Sequence, residues 1–370
     1  MSEVPLVAGD GMGAIGAGVV ATTALQAQLA KSSDVSGVKH RYVETNDLRM
    51  HIAEQDSGPL VVLLHGFPGC WYSWRHQLAA LAEAGFHAVA PDQRGYGGTD
   101  RPDDVKRYTQ LHLVGDVIGL LDALGKEKAA VVGHDFGALI AWNTALLRPD
   151  RVRGVVGLSV PYTPRGPVSG LAAARAMLGD GFYQQYFQAP GVADAELARE
   201  PHRTMRTMLY GHSGDAPPPE NSTTGFVVPP GRGFLDILPD PKTLPAWLTD
   251  ADIDYCAAQF ARTGYTGALN WYRMIERSWE LMAPWTGARV QPPSLYIAGD
   301  RDDVLNFPGT RNALAHLRDF SPSLKDSLLL EGAGHWVQLE RAEEVNAALL
   351  EFLSGLQPQE SRNGERRRDE

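Results

Sequence analysis

Residues 129–137 read Ala129-Ala130-Val131-Val132-Gly133-His134-Asp135-Phe136-Gly137. The apolar run suits a strand buried on both faces of a sheet. The stretch from Ala138 to Leu147, closed by Pro149, suits a helix. So sharp a strand–turn–helix elbow strains the backbone of its middle residue and presents that side chain at the top of the sheet. Glycines two positions before and after it relieve the crowding, which gives the pattern G-x-S-x-G. Here Asp135 stands in place of Ser. Amide groups at the helix start favour negative charge at that point. Asp is also a common helix N-cap, so on the pentapeptide alone catalysis and simple capping both stay open.

Working outward, strand and helix patterns alternate on both sides of the elbow. Tyr42–Glu44 and Leu48–Ala53 flank Thr45-Asn46-Asp47 as a hairpin. Leu60–Leu64 is a continuous apolar run, followed by a helical stretch over Tyr72–Glu83 and a second strand at Ala88–Ala90. A helix over Leu111–Leu124 leads into the elbow strand, and Val152–Val160 is again strand-like. The rhythm stops from about Pro161 to Trp285, where helical patterns, aromatics and a Pro/Gly-rich stretch from Gly211 to Pro245 take over. It resumes with strands at Ser294–Ala298 and Ser327–Leu330 and a helix at Ala342–Leu353. This predicts an α/β domain, residues 38–160 and 286–356, with a mostly parallel sheet covered by helices on both faces. A helical insertion, 161–285, is expected to lie as a cap over the carboxyl ends of the strands, where open parallel sheets bind ligands.

Composition narrows the class. The chain has 370 residues, 44% hydrophobic and 21% charged, and a net charge of −10. It is long enough to bury a large core. Its acidic balance argues against nucleic acid or an anionic membrane as partner. The basic run Arg366-Arg367-Arg368 sits among acidic residues in a polar tail, 357–370, expected to be disordered. Two cysteines, Cys70 and Cys256, exclude a disulfide framework and a Cys-rich metal site, and a reduced cytoplasmic setting fits best. Nothing adjacent in sequence argues for a reactive thiolate at Cys70.

Residues 1–37 form an extension. Its apolar part, 14–30, is too short and Gly/Ala-rich for a transmembrane span, and no Lys or Arg precedes it as a signal peptide requires. Gly11-Met12-Gly13-Ala14-Ile15-Gly16 matches G-x-G-x-x-G, but Pro5 interrupts the only candidate strand before it and no βαβ unit follows. A small-residue helix is the plainer reading.

Two further turns carry chemistry. Gly299-Asp300-Arg301-Asp302-Asp303 follows one apolar strand, and Gly332-Ala333-Gly334-His335-Trp336 follows the last. Nucleophile, acid and histidine in that order, each just past a strand end, form a catalytic triad. Asp302 is the preferred acid, with Asp303 second and solvated loop charge the plain alternative. His134 and His65 are read as structural. The strand ending at Leu64 runs into His65-Gly66-Phe67-Pro68, so the backbone N–H groups of Phe67 and Phe136 form an oxyanion hole. Phe67, Trp71, Phe136 and Trp336 are expected to line an aromatic substrate pocket.

These motifs, with Asp92-Gln93-Arg94-Gly95-Tyr96-Gly97, resemble the soluble epoxide hydrolase family of the α/β-hydrolase fold. Two segments of the insertion extend the likeness: Phe182-Tyr183-Gln184-Gln185-Tyr186-Phe187-Gln188 and Leu269-Asn270-Trp271-Tyr272-Arg273. The resemblance covers about Val38 to Leu356. It implies that two cap tyrosines, Tyr183 and Tyr272, face the nucleophile, with Tyr186 as fallback for the first. It further implies that Asp135 opens an epoxide to a covalent ester and that His335, oriented by Asp302, activates the water that hydrolyses it. No cofactor or metal is required, and no metal-ligand spacing is present. The expected partner is a small apolar or aryl epoxide, taken by a monomer or homodimer.

Two rivals share the fold. Haloalkane dehalogenases also use an elbow Asp, but normally hold halide with a Trp after it and often an Asn after His-Gly. Fluoroacetate-type enzymes place an Arg after the nucleophile. Phe136 and Phe67 offer neither kind of donor. A non-catalytic small-molecule receptor usually lacks a triad member, whereas Asp135, Asp302 and His335 are all present.

Overall fold

A computed structural model describes residues 35–217 and 226–356 of the chain. The expectations for residues 14–30, for Gly11–Gly16, for the tail beyond Leu356 and for the middle of the Gly211–Pro245 stretch fall outside them.

Eight strands form one sheet in the order β1-β2-β4-β3-β5-β6-β7-β8. The hairpin of β1 (Lys39–Thr45) and β2 (Leu48–Gln55) is antiparallel, and β2 meets β4 (His87–Pro91) antiparallel as well. Its turn, Asn46-Asp47, has φ of 45° and 57°, the conformation that two-residue hairpin loops prefer. All other pairs are parallel: β3 (Leu60–Leu64), β4, β5 (Ala129–His134), β6 (Val152–Leu158), β7 (Ser294–Gly299) and β8 (Leu324–Leu330). Every residue of β3, β5 and β7 is buried, which is why these strands read as unbroken apolar runs. β1 and β8, at the edges, are largely exposed.

Crossover handedness distributes the helices. From β3 the chain passes through α1 (Arg75–Glu83) to β4 on one side. From β4 it crosses back through α2 (Gln110–Ala123) to β5, then through α3 (Phe136–Leu147) to β6. Right-handed crossovers in opposite directions place α1 on one face of the sheet and α2 and α3 on the other. The reversal falls between β3 and β5, and an open α/β sheet opens its ligand crevice beyond such a switch point.

Between β6 and β7 the described chain adds helices and no ladder strand: α4 (Gly170–Leu178), α5 (Tyr183–Tyr186), α6 (Val192–Arg199), α7 (Pro201–Gly211), α8 (Asp250–Thr263), α9 (Thr266–Arg273) and α10 (Ile275–Leu281). After β7 come α11 (Thr310–Ala315) and α12 (Leu317–Phe320). After β8 come α13 (Val337–Glu340) and α14 (Ala342–Ser354), the last packed against α1. None of the described helices is long and apolar enough to cross a membrane.

Candidate active site

The site begins at the elbow. Asp135 has φ 55° and ψ −123°, a backbone conformation that side chains rarely adopt. A Cβ on Gly133 would lie 2.0 Å from the carbonyl oxygen of Gly137, so the close approach of strand and helix demands glycine there. Across the switch point, Gly66 lets the β3 loop come against Asp135; a Cβ at that position would lie 2.2 Å from Oδ1. The Phe67 N–H donates to Oδ1 of Asp135 at 2.9 Å, and the Phe136 N–H also supports this carboxylate. Burial raises the pKa of Asp135, while His335 and the two amides work the other way.

The acid and the histidine converge from β7 and β8. His335 Nδ1 lies 3.2 Å from Oδ1 of Asp302, and its Nε2 lies 3.7 Å from Oδ2 of Asp135. Asp303, the other acid considered, turns away and pairs with Nδ1 of His212 at 2.9 Å. Burial opposes ionisation of Asp302, yet His335, the neighbouring Ser159 hydroxyl and the Val304 N–H hold its carboxyl below the usual range. Burial likewise disfavours the imidazolium, but the charges of Asp302 and Asp135 prevail and raise the pKa of His335 to about 9. Both carboxyl groups that face His335 thus favour its imidazolium form.

Two spaces meet at Asp135, Tyr183 and Tyr272. One, of about 460 Å³, is walled by Phe67, Phe187, Phe226, Phe234, Phe307 and Trp336. The other, of about 740 Å³, is walled mainly by aliphatic groups such as Leu139, Val160, Leu171 and Ile275, with Phe136 and the shared Phe307 beside them. Burial and the charge of Asp135 push the pKa of Tyr183 up; burial, Tyr183 and Asp135 do the same for Tyr272. Both hydroxyls thus stay protonated and able to donate. Tyr183 accepts a hydrogen bond from Gln184 at 3.0 Å, whereas the Tyr272 hydroxyl has no hydrogen-bond partner among the described residues. Tyr186, the fallback, donates to Glu196 at 2.7 Å instead and lines neither space.

Comparison with known proteins decides the family. A family profile described as alpha/beta hydrolase fold matches residues 59–342. The chain is 48% identical to Epoxide hydrolase A of Mycobacterium tuberculosis over 86% of its own length and 98% of the relative's. It is 45% identical to Epoxide hydrolase 3 of Siraitia grosvenorii, with 86% and 98% covered. The crystal structure of Epoxide Hydrolase A from Mycobacterium thermoresistibile matches with a TM-score of 0.82 at 48% identity, covering 87% of this chain and 100% of the other. The chain belongs to the epoxide hydrolase family of the α/β-hydrolase fold.

Within this epoxide hydrolase fold one expected pocket residue is misplaced. Trp71 lines neither space. It lies in a 3₁₀ turn, Trp71–Trp74, beyond the oxyanion loop and is 1% exposed. Its indole N–H donates to the Tyr255 hydroxyl at 2.7 Å, and its backbone N–H donates to Asp92 at 3.0 Å. A buried indole N–H goes where it finds an acceptor, and here that acceptor is on α8, behind the site. His65 is structural: its Nε2 accepts from the Gln93 N–H at 3.1 Å, and its carbonyl accepts from the Gln93 side chain. His134, whose pKa burial and His335 lower to about 3, donates from Nε2 to the His335 carbonyl at 2.7 Å.

Sequence reasoning overlooked two supporting residues. Ser159, fully buried with φ 70°, places Oγ 3.0 Å from Nδ1 of His335, which it shares with Asp302. The Tyr296 hydroxyl pins its carbonyl at 2.7 Å. Its one signal was a hydroxyl directly past the end of β6. Glu340 accepts N–H groups from Gly334 (2.8 Å) and Trp336 (3.0 Å), on either side of His335, and from Gly214 (2.8 Å). Burial raises its pKa to about 7 despite these donors. The first residues of the Gly211–Pro245 stretch are thereby fastened to the histidine loop.

Proposed function

We propose that the protein hydrolyses epoxides to vicinal diols through a covalent ester on Asp135. The observation that carries the reading is the division of labour between the two carboxylate oxygens. Oδ1 is held by the Phe67 amide, while Oδ2 lies on the side of His335 and is left to attack. Oδ2 displaces the epoxide oxygen at an sp³ carbon, forming the ester C–O bond as the ring C–O bond breaks. The leaving alkoxide is strongly basic, and Tyr183 and Tyr272 supply its hydrogen bonds and a proton.

Ester formation consumes the Asp135 charge. One of the two anions that hold His335 protonated is lost, so the imidazole pKa falls, its proton passes to solvent and the ring becomes a base. His335, oriented by Asp302 and Ser159, takes a proton from water, and the hydroxide adds to Cγ of Asp135. The oxyanion forms at Oδ1, already in the Phe67 and Phe136 amides; one such donor is worth about 3 kcal/mol. Collapse expels the diol oxygen, which takes the proton from His335. The regenerated Asp135 carboxyl ionises and restores the proton lent by the tyrosines, and with that charge back His335 recovers its own proton from solvent. Every step uses side chains of this chain.

The helical segment 161–285 serves in this reading as the cap that carries the tyrosines and keeps bulk water from the ester. The aromatic and aliphatic walls fit an apolar or aryl-bearing epoxide. Rapid mixing of excess enzyme with styrene oxide, quenched for intact mass, tests the scheme. An adduct equal to the substrate mass must appear before diol; diol formed with no adduct on any timescale contradicts it.

A further inference from the structure

The chemistry above uses every acidic or imidazole group lining the aromatic space except two. His212 and Asp303 also line it, joined through Nδ1 and Oδ2 at 2.9 Å. With Nδ1–H given to Asp303, Nε2 of His212 is left with no hydrogen-bond partner among the described residues. The ring lies 6.2 Å, centroid to centroid, from both His335 and Phe234, stacked on the latter at an interplanar angle of 23°. The side chains are only 14% and 23% exposed, and polar groups set into an aromatic wall carry a desolvation cost unless a partner completes them.

The backbone that carries the imidazole is also held in place. The His335 N–H donates to the His212 carbonyl at 2.8 Å, Glu340 grips the Gly214 N–H, and Arg301 donates to the Gly214 carbonyl at 3.0 Å. A few fixed polar groups in an otherwise apolar pocket are what orients a ligand. The aliphatic space differs: beyond Asp135 and the tyrosines its polar lining is confined to neutral groups, Thr163, Gln184 and Thr310.

From this asymmetry we infer that His212, oriented by Asp303, is a specificity residue that accepts a hydrogen bond from a hydroxyl on the substrate arm lying in the aromatic space. The substrate class is an epoxide with an apolar arm on one side of the ring and a hydroxylated arm on the other. The inference rests on the epoxide hydrolase reading. The competing account makes the pair a plain brace between the helical segment and the acid loop.

The test compares epoxides bearing an alkyl arm on each ring carbon with counterparts hydroxylated at the end of one arm, the hydroxyl one to five carbons from the ring, in wild type and His212→Phe. The substitution spares the backbone carbonyl that His335 uses. The expected result is a wild-type kcat/KM ratio, hydroxylated over parent, above one at some chain length, and at least about a tenfold fall of that ratio in the variant. Asp303→Asn, closer in shape to wild type, lowers the same ratio by a smaller factor and keeps the test open should His212→Phe fail to fold. A ratio below one at every length, or equal losses on both members of each pair, overturns the inference and leaves the brace. Turnover of no epoxide in either series would instead bring down the reading beneath it.

Discussion

Two acid–imidazole pairs stand side by side in this molecule, drawn from adjacent aspartates, and they are not equivalent. Asp302 is 1% exposed and bonded to a histidine whose other nitrogen looks toward a second carboxylate. Asp303 is part-exposed and bonded to a histidine with one nitrogen unused. The first pair sits at the strand ends, where the sheet fixes both partners and a third group, the Asp135 carboxylate, faces the imidazole. The second joins the helical segment to the acid loop, at the edge of a cavity. In the proposed scheme the same chemical pair serves as base and orienter in one place and as recognition element in the other. Burial and the third group make the difference.

The largest effect expected from breaking the first arrangement is at Asp135. Asp135→Ala should lower epoxide turnover by roughly four orders of magnitude or more, read as diol formation at saturating substrate. Residual activity within tenfold of wild type would show that the elbow carries no nucleophile. His335→Gln should cut steady-state turnover about a thousandfold yet still give one equivalent of adduct, because alkylation needs no base. Loss of adduct as well as turnover would place His335 in ring opening.

Tyr272→Phe and Tyr183→Phe should each slow adduct formation by about ten- to a hundredfold and leave adduct decay nearly as it was. A variant that slowed decay alone would remove that tyrosine from the leaving-group side. The pH dependence sharpens the same contrast. In the resting enzyme the anions on either side raise His335 to about 9. Esterified Asp135 no longer contributes, so adduct decay should rise with pH along a limb whose pKa lies below 9, then level off. Decay that falls as pH rises would contradict the base assignment. The smallest effect belongs to Trp71→Phe, expected to cost about 1 kcal/mol in unfolding free energy through the lost Tyr255 bond while kcat/KM changes less than about twofold. A specific loss of activity there would return Trp71 to the substrate wall.

The strands, the elbow and the two residues that converge on Asp135 were legible because each is written locally. Unbroken apolar runs mark doubly covered strands, and glycines mark turns where backbones nearly touch. Asp302 was separable from Asp303 only as a preference, since one peptide unit decides which carboxylate faces His335. Trp71 was misread because adjacency to the oxyanion loop said nothing about the hydroxyl of Tyr255, 184 residues away, that claims its indole. Ser159, Glu340 and His212 escaped for the same reason: each is tied to the His335 loop by a contact that no local pattern encodes.

The most direct test of the account is one turnover of styrene oxide by excess enzyme in ¹⁸O water, with the diol and the Asp135 peptide both weighed. Transfer of Oδ2 to the product predicts a first-turnover diol carrying little label and one ¹⁸O in the Asp135 carboxylate. Label in that first diol, with Asp135 unlabelled, would mean that water attacks the epoxide itself and that Asp135 is not the nucleophile.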